Sequence, residues 1–234
     1  MIKPILFNYE MVRAILEDRK TVTRRICKDC NDFIIPDMRF YDSARRTYAV
    51  HGYTDKEHKN KLFTAERPCP ICPEDILYVR ETWAFIPCIC CNGEYARGMQ
   101  PCYDFQAVEF DDGESISDGC FVYRADCKTP ERITWRPSIH MPRAAARIWL
   151  NVTDVRVERL QDMTLDDFLS EGVTVRPEAF NDPENAFLQA QKEFVAIWDG
   201  TIKQANREIY GWDANPWAWV IEFERCEKPT ELNY

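Results

Sequence analysis

One stretch near the middle of the chain limits the choice of fold more than any other. Apolar residues alternate at Ile148, Leu150 and Val152 and resume at Val155 and Val157. That is a half-buried strand whose phase slips by one residue near Thr153–Asp154. A slip in a period-2 pattern requires a bulge or bend, because otherwise the later apolar side chains would turn to water. Leu160 and Met163 follow, and Thr164 is a good N-cap with Asp167 three residues on, a weaker capping box. Leu165, Phe168 and Leu169 form one apolar stripe, and Gly172 can supply the left-handed stop. The centre of the chain thus predicts a bent barrel strand that feeds a short helix.

Glu171 is out of place in that helix. In the last turn it faces the negative end of the helix dipole, which disfavours a carboxylate by about 0.3–1 kcal/mol. It is either an exposed, tolerated glutamate or a carboxylate held at a cleft for acid or base work.

The rest of the chain supplies elements around this centre. Ile5, Leu6 and Phe7 read as a short strand, and Asn8 caps a helix whose Met11, Val12, Ile15 and Leu16 form one face. In the KTVTRRI run that follows, Val22 and Ile26 are expected in the core, with Thr21, Thr23 and Arg25 on the opposite side. DILYVRETWAF, Asp75 to Phe85, reads as one apolar strand, and Phe121-Val122-Tyr123 as another. Asp182-Pro183 starts a helix with Phe187, Ala190, Phe194, Ile197 and Trp198 on one face, and Gly200 is expected to stop it. Trp217, Trp219, Ile221 and Phe223 give the cleanest strand alternation in the chain.

Two segments look inserted, about 28–72 and 87–128; the first is polar and aperiodic. Eleven cysteines in a chain without a signal peptide's apolar start suggest metal rather than disulfides. Cys27-Lys-Asp-Cys30 and Cys69-Pro-Ile-Cys72 bracket the first insertion. Two such knuckles can close a tetrahedral structural zinc site that clips the loop at its base. Cys88, Cys90, Cys91 and Cys102, less regularly spaced, are candidates for a second site. No apolar run is long enough to cross a membrane, so a cytoplasmic protein is expected. A net charge of −9 argues against non-specific binding to duplex nucleic acid over the whole surface, though not against a local basic groove.

Four segments together resemble the phage-type ASCH-domain family of the PUA-like superfamily: PILFNYEMVRAILEDRKTVTRR, DILYVRETW, WRPSIHMPRAAARIWLNVTDVRVERLQDMTLDDFLSEGV and WDANPWAWVIEFER. They cover about half the chain, in family order. The family often carries Gly where Asp18 and Glu74 stand. The resemblance implies an α+β fold, a small PUA-like β-barrel with flanking helices, here one domain over 1–234 with the two cysteine-rich insertions. It implies binding of RNA or a modified nucleotide in a cleft and, in some members, cleavage of RNA. One small member type is an amidohydrolase acting on N4-acetylcytidine. Matched to that enzyme, its Lys falls on Lys20 and its second Thr on Thr23. Its acid falls on Glu171, with Asp166 and Asp167 as alternatives.

The chemistry is coherent for those residue types. A Thr hydroxyl is a poor nucleophile until a neighbouring Lys of depressed pKa takes its proton. A carboxylate can then pass a proton to the leaving exocyclic amine. On a straight strand, however, Lys20 and Thr23 face opposite sides, so a turn is required at Arg19–Lys20. Arg19, Thr21, Arg24, Arg25 and Arg80 are candidates to hold a phosphate or an oxyanion, and Trp83 and Trp135 to stack on a base. Salt bridges and core packing are the competing assignments. Three functions remain open: an RNA or nucleotide binder, an amide hydrolase of acylated cytidine-type bases, and a zinc-stabilised scaffold for a protein partner.

Overall fold

The computed structural model describes residues 1–28, 37–42, 46–52, 63–87, 106–109, 115–127 and 133–230. The fold is α+β. Its strands in chain order are β1 (Ile2–Leu6), β2 (Val22–Ile26), β3 (Asp37–Asp42), β4 (Thr47–Gly52), β5 (Phe63–Pro68) and β6 (Ile76–Arg80), then β7 (Trp83–Pro87), β8 (Gln106–Glu109), β9 (Ser115–Tyr123), β10 (Trp149–Arg159) and β11 (Trp217–Cys226). The helices are α1 (Tyr9–Leu16), α2 (Leu165–Ser170), α3 (Pro183–Thr201) and α4 (Arg207–Tyr210). Five strands form one sheet in the order β1-β6-β10-β11-β2. β1 and β2 are left as its edges, so the expected closed barrel is not formed among the described residues. No described helix is long and apolar enough to cross a membrane.

Two compact units divide the chain. The first comprises 1–17, 76–150 and 225–234, the second 18–75 and 151–224. In the first unit β1 and β6 pair in parallel, Ile2 opposite Ile76 and Leu6 opposite Arg80. DILYVRETWAF is not one strand: the chain leaves β6 at Glu81–Thr82 and starts β7, which joins the three-stranded sheet β7-β9-β8. The core of this unit gathers Trp83, Met141, Ala145 and Trp149. Asn8 caps α1 as expected, its side chain accepting from the Met11 N–H at 2.8 Å.

In the second unit β11 pairs antiparallel with β2, from Ala218 opposite Ile26 to Glu222 opposite Val22. Trp217 to Ile221 are buried without interruption rather than alternately, so both faces of this strand are covered there. The slip in β10 lies where the pattern placed it: Thr153 and Asp154 are both exposed, between buried Val152 and Val155. The first inserted segment is not merely a loop, because β3, β4 and β5 form an antiparallel meander. Asp182 caps α3 through the Glu184 and Asn185 N–H groups, and the helix runs one residue past Gly200. Phe168 of α2, fully buried, packs its ring 5.4 Å from Phe194 and 5.5 Å from Phe187. Burial of that one side chain contributes about 2–3 kcal/mol and fixes α2 on α3.

Both positions where the resembling family often has glycine adopt left-handed backbone, Asp18 at φ 56° and Glu74 at φ 66°. The turns are therefore kept without the residue that makes them easy.

Candidate functional site

The site is built at the C-terminal end of α2, in the second unit. Thr164 and Asp167 form the full capping box: the Thr164 side chain accepts from the Asp167 N–H, and the Asp167 carboxylate accepts from the Thr164 N–H at 2.9 Å. At the other end the Gly172 N–H bonds Leu169 O at 2.8 Å and the Val173 N–H bonds Phe168 O at 3.2 Å, with Gly172 at φ 91°. That is a Schellman stop, and it fixes where Glu171 leaves the helix.

A helix end leaves orphan carbonyls, and here the segment Arg19–Thr21 takes two of them and the carbonyl of Gly172 just beyond. The Thr21 N–H donates to Ser170 O at 2.9 Å. Lys20 Nζ donates to Glu171 O at 2.9 Å, and Arg19 Nη1 to Gly172 O at 2.7 Å. Cations at this pole of the dipole are favourable, which offsets the awkward position of Glu171. The left-handed turn at Asp18 lets the chain double back and bring Lys20 into a β-bridge with Glu171 before β2 begins.

Lys20 and Glu171, 151 positions apart, are thus in contact: Nζ lies 2.6 Å from Oε2. The Lys20 side chain is fully buried and that of Glu171 nearly so. A third donor bond runs from Nζ to Val22 O at 2.8 Å, the carbonyl directly before Thr23. Lys20 stands outside β2, in the bridge to Glu171, and its Nζ reaches back to the Val22 carbonyl at the start of that strand. Burial pushes the Lys20 amine below its ordinary range, with the Glu171 carboxylate pulling it partly back.

Thr23 is 1% exposed and pairs across the sheet with Ile221. Thr23 and Arg24, successive residues of β2, are both buried. Arg24 is not available to a phosphate. Its Nη2 lies 2.8 Å from Asp167 and 3.4 Å from Glu158, and its Nη1 lies 3.4 Å from Glu171. Its Nε is buried with no hydrogen-bond partner among the described residues. Asp167, the alternative acid, is claimed by Thr164 and Arg24. Burial raises its pKa, and those hydrogen bonds outweigh burial to hold it below the ordinary value. Asp166 sits in the first turn of α2 rather than at its end. Arg25 is half-buried, and desolvation lowers its pKa against the pull of Glu171. Thr21 is exposed.

The remaining candidates belong to the first unit. Trp83 is 1% exposed and packs on Phe121 at 5.6 Å, so it is core rather than a stacking platform. Arg80 donates to Met141 O and Ile139 O and makes no ion pair among the described residues. Trp135 is half-buried under Arg124.

Cys27, Cys69 and Cys72 are buried. Cys30, Cys88, Cys90, Cys91 and Cys102 lie outside the described residues. The Cys27 N–H bonds Trp217 O, at the end of β11 where Leu160 meets Pro216. Cys72 O accepts from Asp75, whose own carbonyl accepts from the Val152 N–H, near where Asn151 meets Glu224. Among the described residues no three His, Cys, Asp or Glu side chains group as a metal site. The turn after Cys72 is closed by Asp75, which is fully buried and accepts from the Cys72 N–H at 2.9 Å and from Arg46.

Sequence reasoning missed the Arg24–Asp167–Glu158 cluster. Its one signal was an arginine at the same strand parity as Val22 and Ile26, the residues expected in the core. Comparison with models of protein families, with curated proteins and with solved structures gives no match.

Proposed function

We propose that this chain is an amide hydrolase acting on an N-acylated nucleobase or nucleoside, in the manner of the ASCH-type, PUA-like amidohydrolases that its sequence resembles. The observation that carries the reading is the buried contact of Lys20 Nζ with Glu171 Oε2 at 2.6 Å, beside the carbonyl that precedes Thr23. A proton passes from the Lys20 ammonium to the Glu171 carboxylate along that contact. The neutral amine then takes the Thr23 hydroxyl proton, and Oγ attacks the acyl carbon. As the tetrahedral adduct collapses, the C–N bond breaks and Glu171 gives its proton to the departing exocyclic nitrogen. Water then attacks the acyl–Thr23 ester as Glu171 takes its proton, the acyl–Oγ bond breaks, and the Lys20 ammonium returns a proton to Thr23 Oγ; the proton on Glu171 passes back to the Lys20 amine. Arg24 and Lys20 hold the two carboxylate oxygens of Glu171 and so orient it.

The test is incubation of the pure protein with N4-acetylcytidine, with cytidine release followed by chromatography. Release is expected, with losses of at least about a hundredfold in Lys20→Ala and Thr23→Ala. Unchanged turnover in either variant rejects the assignment.

One observation favours a second reading, a module that binds RNA or a nucleoside without chemistry. All three Lys20 N–H bonds are already taken, by Val22 O, Glu171 O and Glu171 Oε2. Saturable binding of N4-acetylcytidine with no turnover would select it. A structural zinc ion on Cys27, Cys30, Cys69 and Cys72 is checked by metal content per chain. That content is expected to fall in the Cys69→Ser, Cys72→Ser double variant.

A further inference from the structure

The exposed apolar side chains of the first unit are not scattered. Met1, Ile2, Leu6 and Ile139 are four of the seven large hydrophobic residues exposed among those described. Ile2 and Leu6 are the two ends of β1, an edge strand, and Met1 stands just before it. Side chains alternate along a strand, so Ile2, the exposed Pro4 and Leu6 share one face. Leu6 stands opposite Arg80 of β6, and the Arg80 side chain donates to Met141 O at 2.8 Å and to Ile139 O. The turn at Ser138–His140 is therefore seated beside Leu6. Met141 is fully buried, whereas Ile139, 55% exposed, stays outside. An apolar strip thus runs along the edge from Ile2 to Ile139.

The rim of the strip is basic. Arg136 and Arg143, on either side of Ile139 in the chain, are exposed, as is His140. Arg136 lies over the Trp83 ring at 5.2 Å and Arg143 over the Trp149 ring at 5.6 Å. Both rings belong to the buried core, so the two guanidinium groups stand where that core meets water. Neither makes an ion pair among the described residues. From Arg132 to Leu150 the sequence holds no Asp or Glu, in a chain whose net charge is −9.

Contiguous exposed apolar side chains with a polar rim mark an interaction surface. An added strand is poorly suited to this one. The Phe7 N–H bonds Arg80 O and Met1 O accepts from the Ile76 N–H, so the odd-numbered residues of β1 turn their backbone groups towards β6. The even-numbered residues turn theirs outward, and the middle one is Pro4, which has no N–H to offer. A second copy docked through the same strip would bring two basic rims together, and like charges across an interface are costly. A helix with apolar side chains on one face and carboxylates beside them matches both the strip and its rim. We infer that Ile2, Leu6 and Ile139, with Arg136 and Arg143, dock an amphipathic acidic helix of a protein partner. No residue of the Lys20–Glu171 centre takes part, and the docking does not depend on hydrolysis.

The test is fluorescence anisotropy of a fluorescein-labelled peptide titrated with the full chain. The peptide has roughly 18 residues, about five helical turns, with leucine on one face and glutamate on the other. Binding is expected, with affinity falling as salt rises. The same peptide with lysine in place of glutamate is expected to bind at least about tenfold more weakly. Leu6→Ser with Ile139→Ser removes two exposed apolar contacts and is expected to weaken binding at least about tenfold, with the urea midpoint unchanged. Arg136→Glu with Arg143→Glu is expected to exchange the preference, so that the lysine peptide becomes the tighter ligand. A gain of that kind does not come from unfolding. Absence of binding overturns the inference, as do equal affinities for the two peptides or an unchanged affinity in the Ser variant. A dimer in sedimentation that the Ser variant dissolves assigns the strip to a second copy and overturns it too. So does equally effective displacement by a single-stranded oligonucleotide, because the rim would then answer to charge without the apolar face. Lys20→Ala is expected to bind the acidic peptide as the unchanged chain does, so a failure of docking and a failure of amide hydrolysis are separate results.

Discussion

Two buried carboxylates, one in each unit, are held by opposite strategies. Glu81 is 1% exposed and is gripped by the Arg147 fork, whose guanidinium lies 4.1 Å over the Tyr123 ring. Glu171 is 8% exposed and meets a lysine on one oxygen and Arg24 on the other. A guanidinium does not release its proton under working conditions, so an Arg-held carboxylate has no proton to receive from its partner. Its neighbours also push Arg147 further towards the charged form. A buried ammonium is different, since desolvation has already lowered the cost of removing its proton. The lesson is that burial of an ion pair does not by itself indicate chemistry. What matters is whether the cation can give up its proton, and of these two pairs only Lys20–Glu171 can.

The largest effect expected from this contrast is on stability. Glu81→Gln leaves the Arg147 fork half-partnered in a buried place and is expected to cost about 3 kcal/mol in urea denaturation. Lys20→Met replaces the ammonium by an apolar chain of similar volume, and Glu171 retains Arg24. That change is expected to cost about 1 kcal/mol while abolishing hydrolysis. A reversed order, with Lys20→Met the more damaging to folding, would make the lysine the structural partner and break the contrast.

The two pairs also predict opposite dependences on pH. Burial lowers the Lys20 pKa from 10.5, so between the lowered value and 10.5 the native state binds fewer protons than the unfolded chain. Stability from this group therefore rises with pH across that window and is complete above it. Burial raises the Glu81 pKa from 4.5, against the Arg147 hydrogen bonds that pull it down. Its contribution is full below 4.5 and is lost as pH rises through the raised value. Urea midpoints measured across pH should lose the alkaline rise in Lys20→Met and the acid-side fall in Glu81→Gln. Parallel curves for wild type and Lys20→Met would show an ordinary lysine.

What the sequence revealed of these regions follows the range of the forces involved. The slip at Thr153–Asp154, the Thr164 cap and the Gly172 stop are set by sterics and hydrogen bonds within a few residues, and all three are found. The break at Glu81–Thr82 was hidden, because apolar residues continue on both sides and a buried Glu gives no signal until Arg147 is located. The β3–β5 meander was hidden for a related reason: its polar strands lack the alternation that a solvated face normally shows. Lys20 with Glu171 was reachable only through resemblance, as nothing local ties residues 151 positions apart. The burial of Arg24 was not legible, because three carboxylates from distant segments make it tolerable.

A smaller effect tests whether the position of Glu171 is set by its helix. Thr164→Ala removes one half of the capping box and is expected to cost about 1 kcal/mol. Asp167 would also lose the hydroxyl that helps hold its charge beside Arg24, so Glu171 should be less well oriented. Hydrolysis by Thr164→Ala is therefore expected to fall several-fold at saturating substrate, whereas an equally destabilising change in the first unit leaves it unaltered. Equal losses from both would mean that activity simply follows overall stability.

The smallest effect separates backbone strain from chemistry at the two left-handed turns. Glu74 precedes the third buried carboxylate, Asp75, which like Glu81 is held by an arginine. A side chain beyond Cβ makes φ 66° costly, so Glu74→Gly is expected to gain about 0.5–1 kcal/mol, despite the greater freedom glycine gives the unfolded chain. Asp18→Gly is expected to gain less, because aspartate tolerates left-handed backbone better than glutamate does. The two variants should nevertheless differ in function. Glu74 adjoins a carboxylate held by Arg46, and its relief should leave hydrolysis untouched. Asp18 sets the turn that presents Lys20 to Glu171, and added freedom there should lower turnover even as the fold gains stability. If Asp18→Gly is stabilised with full turnover, the turn only routes the chain, and the geometry of the pair is set by the carbonyls at the end of α2 alone.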